Sequence, residues 1–455
     1  MAGIGFELRK LLRKDSYLGL LQAYGYAGII SSGPWILSII GVLLIGLFSA
    51  SRVVPDTLVV QFLVTVTWLM ASSLVLTGIL QLLFTRFIAD RLFEEKDEIV
   101  LPNLMGALTL VTLASGLLAG LALLFLFEES PLYELLTLGS FVVLSNIWIV
   151  VIFLSGMKAY RLILGVFFLG YGITVGMALL LTALKLEGLM LGFFIGQTVL
   201  LFAMLAMVIR NYPGERFVSY TFLDRKQVYY SLAGTGLLYN LGIWADKFMF
   251  WLNPVTSENV IGPLRASVIY DIPIFLAYLS IIPGMAVFLV RMETDFAEIY
   301  ERFYQSVREG DTLAHIRQYK QRMVLTIRQG IYEIFKVQGL MVVMLLMLGP
   351  SILDFLGISR LYQPLFNVDL IGVGVQVLLL AILNVLFYLD LLWIAFSICL
   401  LFLVSNIGLT WLTFQLGPQF FGFGFAGAVV IASLVGLAVL SRQLDRLEYE
   451  TFMLQ

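Results

Sequence analysis

Read along its length, the chain alternates long apolar runs with shorter polar ones. A helix that crosses a membrane needs roughly 20 mostly apolar residues, because the hydrocarbon core is about 30 Å thick and each residue rises about 1.5 Å. Runs of this kind lie at about 20–49, 58–88, 103–127, 133–156, 162–184, 188–209, 228–252, 266–290, 336–357, 367–388, 391–414 and 423–441. Backbone polar groups in lipid must be satisfied within the segment, so each run reads as a helix. The tightest connection is Tyr388-Leu389-Asp390. The pattern predicts an all-α polytopic membrane protein with about twelve transmembrane helices.

Two segments have a different period. Residues 4–14 set Ile4, Leu8, Leu11 and Leu12 against Arg9, Lys10, Arg13 and Lys14. This is a basic amphipathic helix suited to an anionic membrane surface, or a plain topology signal. Residues 291–335 carry Ile299, Phe303 and Val307 at helical spacing, then a break at Gly310-Asp311-Thr312. Leu313, Ile316, Met323, Ile327, Ile331 and Ile334 resume the pattern. An amphipathic helical hairpin follows. Its apolar seam either packs on its own bundle or docks a partner through Phe303, Val307, Ile316, Met323 and Ile327.

The polar stretch 211–227, RNYPGERFVSYTFLDRKQ with its flanks, separates six spans from six. The chain thus divides into an N-terminal helix over 1–17, a six-helix lobe over 18–210, a linker over 211–227 and spans 7–8 over 228–290. The insertion at 291–335, spans 9–12 over 336–441 and a tail over 442–455 complete it. An even split suggests two related six-helix lobes.

Composition supports the membrane reading. Of the 455 residues 60% are apolar and 13% charged, against roughly 45–50% and 25% in a soluble domain. Too little charge is present to solvate a soluble surface of this size. Net charge is −2, which gives no basic field for nucleic acid. One cysteine, Cys399, excludes an intrachain disulfide, and one histidine, His315, excludes a His-rich metal site. Lys and Arg concentrate in alternate connections, from Arg9–Lys14 through Arg86–Lys96, Lys158–Arg161 and Arg210–Lys226 to Arg291–Lys336 and Arg442–Arg446. The intervening connections hold only Arg52, Lys185, Arg265 and Arg360, so both termini are expected in the cytoplasm.

Ionisable groups at membrane depth are costly and point to function. Asp246 and Lys247 lie in the seventh span and Asp271 in the eighth. The turn between these spans centres near Glu258, with Asp246 12 positions before it and Asp271 13 after. In an antiparallel hairpin they reach similar depth, so Lys247 can pair with Asp271. Adjacent Asp246 and Lys247 point about 100° apart on a helix and should not share one narrow seam. A structural ion pair and a charged cavity wall, including a proton site, both fit.

Buried amides and other polar groups at Gln81, Arg86, Asn146, Gln197, Asn240, Gln376, Asn384 and Asn406 suggest interhelical hydrogen bonds singly and a polar interior together. Tyr171, Tyr239, Tyr270 and Tyr278 offer aromatic platforms with hydroxyls. Ser31-Ser32-Gly33-Pro34, Pro273 with Pro283, and Gly349-Pro350 should interrupt the first, eighth and ninth spans. No phosphate loop, metal spacing or nucleophile–base set is present. The chain is read as no enzyme, with no cofactor and no metal.

MAGIGFELRKLL followed by YGYAGIISSGPWILSI, and ADKFMFWL followed by YDIPIFLAYLSIIPGMAVFLVRMETDF, resemble the PelG-type exopolysaccharide exporters. The resemblance covers the whole chain. Asn240, Asp246 and Lys247 are similar to the seventh-span pattern of the wider superfamily of polysaccharide and oligosaccharide flippases and multidrug exporters. The resemblance implies movement of the Pel polysaccharide, rich in N-acetylated hexosamines, across a Gram-negative inner membrane. It implies as partners a cytoplasmic glycosyltransferase and membrane subunits, one a cyclic di-GMP receptor. Three readings follow: a polysaccharide conduit, an ion-coupled flippase in which Asp246, Lys247 and Asp271 titrate, and a scaffold that only anchors its partners.

Overall fold

The computed structural model describes residues 17–49, 53–156, 160–212, 214, 216–224 and 229–453. The amphipathic helix expected at 4–14 lies outside them. The chain is built of helices α1 (Tyr17–Ser49), α2 (Thr57–Phe93), α3 (Val100–Leu126), α4 (Pro131–Gly156), α5 (Tyr160–Leu180), α6 (Lys185–Asn211) and α7 (Tyr230–Leu252). A small antiparallel pair follows, β1 (Glu258–Ile261) and β2 (Leu264–Ala266). Then come α8 (Val268–Tyr278), α9 (Ile282–Val290), α10 (Ala297–Arg308), α11 (Leu313–Phe355), α12 (Gln363–Tyr388), α13 (Leu392–Leu416) and α14 (Phe423–Met453).

Among the described residues, ten helical stretches are long and apolar enough to cross a membrane. The helices α1 and α7 stand where the first and seventh crossings were predicted. In α7 the polar Asn240, Asp246 and Lys247 dilute an otherwise apolar helix. The turn before α13 is as tight as the sequence requires. Asp390 adopts φ 57°, a left-handed conformation that Asp tolerates, and Leu391 N–H bonds back to the Leu386 carbonyl at 2.9 Å.

The chain forms two compact units. One comprises Gly33–Trp244 and Phe250–Ser267. Its core centres on Phe84, whose ring meets those of Phe153 at 5.4 Å and Phe222 at 5.2 Å. Phe222 comes from the stretch expected to be a linker. That stretch is anchored: Asn103 Oδ1 accepts from the Thr221 hydroxyl at 2.9 Å and the Phe222 N–H at 3.2 Å. Thr221, one of the polar residues that made 211–227 look like a spacer, is an attachment. Within this unit α2 and α7 meet through Gly78 and Gly236, where a Cβ on Gly78 would lie 2.9 Å from the Gly236 carbonyl.

The other unit comprises Met1–Ser32, Ala245–Met249 and Val268–Gln455. The division between units therefore falls inside α1 and α7, away from 211–227. Here α12 is the enclosed helix, packed against α8, α11 and α14. Of the three predicted interruptions, only the eighth span is broken. A 3₁₀ turn at Leu279–Ile281 joins α8 to α9, and Pro283 sits in the first turn of α9, where its missing N–H costs nothing. In contrast α1 continues through Pro34 and α11 through Pro350.

The hairpin at 291–335 forms with its break where expected. Arg291–Phe296 is π-helical and leads into α10. Gly310 takes φ 72°, and the Thr312 side chain caps α11 by accepting from the His315 N–H. The second arm and the ninth span, predicted as separate elements, are one helix of 43 residues. At 1.5 Å per residue it is about 65 Å long, roughly twice the hydrocarbon core. Phe303, Ile316, Met323 and Ile327 are buried and Val307 is half-buried. The two arms pack on each other, and these five lie on the less exposed face, the seam that the helical periodicity marks.

The glycine crossing can be tested. Gly78→Ala should destabilise the protein by about 1–3 kcal/mol through overpacking, read as a lower thermal transition in detergent. Gly339→Ala, whose Cβ meets nothing within 4 Å, should leave the transition unchanged or raise it.

Candidate functional site

Charge is buried where α7, α8, α12, α13 and α14 converge within the second unit. Asp246 and Lys247 are each 0% exposed. Their side chains form an ion pair, with Lys247 Nζ donating to Asp246 Oδ1 at 3.2 Å and Oδ2 at 3.0 Å. The lysine stem is long enough to fold back, so the 100° offset of neighbouring positions does not separate them. Tyr270 OH donates to Asp246 Oδ2 at 2.6 Å and Asn406 Nδ2 to Oδ1 at 3.1 Å. Thr410 OH in turn donates to Asn406 Oδ1 at 3.1 Å, which fixes the amide orientation. The carboxylate thus accepts four hydrogen bonds, its full capacity.

Lys247 also donates to Tyr278 OH at 3.3 Å and lies 5.1 Å and 4.6 Å from the ring centroids of Tyr278 and Phe425. Aromatic faces stabilise a desolvated ammonium. The predicted partner Asp271 is half-buried, whereas hydrogen bonds reach the pair from α8 through Tyr270 and Tyr278.

A third charged residue completes the site. Asp369 of α12 is 0% exposed, and neither carboxyl oxygen has a hydrogen-bond partner among the described residues. It interacts electrostatically with both Lys247 and Asp246. Gly422 packs beside it, where a Cβ would come within 3.0 Å of Oδ1. With all three ionised the cluster carries one excess negative charge in a fully buried place. Uptake of one proton or one monovalent cation balances it.

A second buried acid lies at the base of the hairpin. Glu293, on the π-helical turn, accepts from Asn384 Nδ2 at 2.9 Å and from Tyr388 OH at 3.2 Å. The Tyr388 ring is flanked by Phe296 at 5.2 Å and Tyr300 at 5.3 Å. Sequence reasoning selected Asn384 and missed Glu293 and Asp369. Both acids sit within a few residues of a predicted span end, where a carboxylate reads as interfacial.

The remaining candidates disperse. In the first unit Asn240 donates to Gln81 Oε1 at 3.4 Å, and Gln81 to Thr77 Oγ1 at 3.1 Å. Arg86 pairs with Asp90 at 3.0 Å and lies over the Tyr229 ring. Asn146 bonds Thr112 at 2.9 Å, tying α3 to α4, and Gln197 bonds Thr174 at 3.2 Å, tying α5 to α6. Tyr171 is buried against Gly41. In the second unit Gln376 is buried with its Oε1 lacking a partner among the described residues.

A bundle of apolar helices with an internal charge cluster is the build of a membrane transporter. Solved structures agree in fold. An outward-facing multidrug resistance MATE family transporter of the MOP superfamily matches with a TM-score of 0.68 at 13% identity, covering 99% of both chains. A MOP superfamily transporter from Pyrococcus furiosus matches at 0.67 and 12% identity, covering 98% of this chain and 99% of that one. A Vibrio cholerae MATE transporter matches at 0.63 and 13% identity, covering 97% and 98%. No curated protein matches in sequence. The chain belongs to the PelG family of exopolysaccharide exporters (EPS-E), which it matches over residues 1–452. Family and fold together define a transporter and not an enzyme.

The cluster makes a signed prediction. Lys247→Met leaves Asp246 and Asp369 without their cation and should cost about 3–5 kcal/mol. Adding Asp369→Asn to that variant should recover part of the loss. Asp369→Asn alone should be neutral or stabilising, since it removes a buried charge without removing a hydrogen bond. Thermal unfolding of the three variants in detergent orders them.

Proposed function

We propose that this protein moves the Pel exopolysaccharide, an N-acetylhexosamine-rich polymer, across a bacterial inner membrane, with both termini in the cytoplasm. A cytoplasmic glycosyltransferase supplies the polymer, and further membrane subunits, one a cyclic di-GMP receptor, complete the assembly. Family membership over nearly the whole chain supports the export reading. The distribution of Lys and Arg supports the orientation.

The observation that carries the mechanism is the Asp246–Lys247–Asp369 cluster. It favours coupling of transport to a proton or a monovalent cation. When Asp369 is neutralised, the cluster is balanced. When it is ionised, the excess charge must be hydrated or met by another group, so the helices around it relax to a second arrangement. An equilibrium between two such arrangements shifts only by the difference in affinity for the ion, and a desolvated carboxylate provides a large difference. Asp369 joins Asp246, Lys247 and Asp271 as a group that can titrate in this reading.

The test uses inverted membrane vesicles that contain the protein and its glycosyltransferase, supplied with nucleotide sugar. Polymer should accumulate in the lumen, protected from an added glycoside hydrolase. Asp369→Asn should lower the protected fraction at least about tenfold, with total synthesis unchanged. Equal protection with Asp369→Asn would reject the coupling. Absence of protected polymer with the natural sequence would reject export and leave a scaffold role.

A further inference from the structure

Beyond the membrane core, α11 carries Arg317, Lys320, Arg322, Arg328 and Lys336 against a single acid, Glu333, between residues 313 and 336. Glu333 is itself engaged, accepting from Arg291 Nε at 2.5 Å. The face of α11 turned away from the buried seam presents Arg322, Leu325, Arg328, Tyr332 and Lys336 within an arc of about 120°. All five are exposed, with Leu325 at 62% and Tyr332 at 63%. No ion pair among the described residues engages Arg322, Arg328 or Lys336. Arg322 also overhangs a cleft of about 350 Å³ shared with Arg291 and Arg302. There Arg291 is paired with Asp295 and Arg302 with Glu298, which leaves Arg322 as the guanidinium open to an added carboxylate.

We infer that this face of α11 docks an acidic segment of a partner protein, its carboxylates on the three cations and its apolar side chains on Leu325 and Tyr332. Charge complementarity selects the occupant. Three cations with no ion-pair partner among the described residues, the nearby Glu333 being engaged by Arg291, attract anionic surface, while the two large apolar side chains ask for more than counter-ions. An anionic bilayer is the competing surface, and helix length argues against it. Arg322 stands about 21 Å beyond Lys336 along the axis, and a headgroup layer is only about 5–8 Å deep. A helix that continues a membrane span carries Arg328, Leu325 and Arg322, about 12–21 Å beyond Lys336, out of the headgroups into water. The inference is independent of which solute is transported.

Site-directed photo-crosslinking on the full chain in native membranes tests it, with p-benzoylphenylalanine in place of Leu325 or of Tyr332. The expected result is a dominant protein adduct at both positions. Its sequenced peptide should carry net negative charge, and its yield should fall about tenfold in the R322E/R328E/K336E background. The variant's thermal transition in detergent reports folding. If the reversal lowers that transition, R322Q/R328Q/K336Q replaces it, with an expected drop of about threefold. Adducts to lipid, to a second copy of this chain or to a neutral or basic segment would overturn the inference. So would a yield that does not respond to the charges.

Discussion

The second unit depends on a charge held out of water. Asp246 and Lys247 are fully enclosed, and an ion pair in such a place does not stabilise a fold by itself. Desolvation of the two groups offsets their attraction, and well-packed apolar residues would serve stability as well or better. The pair persists only because its surroundings complete it. Tyr270 and Asn406 fill the carboxylate, Tyr278 and Phe425 enclose the ammonium, and Thr410 orients Asn406. These residues come from α8, α13 and α14, so the helices of this unit converge on one electrostatic requirement. Asp369 then breaks the balance. A structure selected for stability alone has no use for a second buried carboxylate without hydrogen bonds.

Much of this architecture was legible from the sequence. Twelve apolar runs, the hairpin break at Gly310, the tight turn at Asp390 and the membrane-depth pair in α7 all follow from hydropathy, periodicity and turn chemistry. What escaped is three-dimensional. Asp369 and Glu293 lie within a few residues of a predicted span end, where hydropathy says nothing of burial, and the π-helical turn and the enclosed α12 hold them inside. The pairing of adjacent Asp246 and Lys247 depends on a side-chain stem, which a helical wheel does not represent. The hairpin seam at Phe303, Ile316, Met323 and Ile327 has the same period whether it meets a partner or its own second arm. Amide positions such as Asn146 and Gln197 were equally ambiguous, and their partners Thr112 and Thr174 make them interhelical ties.

The helix α12 links the two buried acids. Asp369 lies near its start, and Asn384 and Tyr388, which bond Glu293, lie near its end. Fifteen residues separate Asp369 from Asn384, a rise of about 22 Å along one continuous helix. Glu293 belongs to the π-helical turn from which α10 departs, and α10 packs on α11. A small rotation or shift of α12 that accommodates a change of charge at Asp369 therefore also moves the donors to Glu293 at the base of the hairpin. Packed helices of this kind transmit such movement because their interfaces resist gradual deformation.

That geometry restricts how the hairpin can take part in transport. Because α11 runs unbroken from the arm into its membrane span, whatever binds the arm acts on a rigid rod set beside α12. A docked partner that favours one position of α11 favours one arrangement of α12, and with it one state of Asp369. If docking and the ionisation of Asp369 are coupled in this way, each changes the affinity for the other by the same free energy. A flexible tether between arm and span would have separated the two events. The single 43-residue helix joins arm and span, so under the proposed docking the two events share one rigid element.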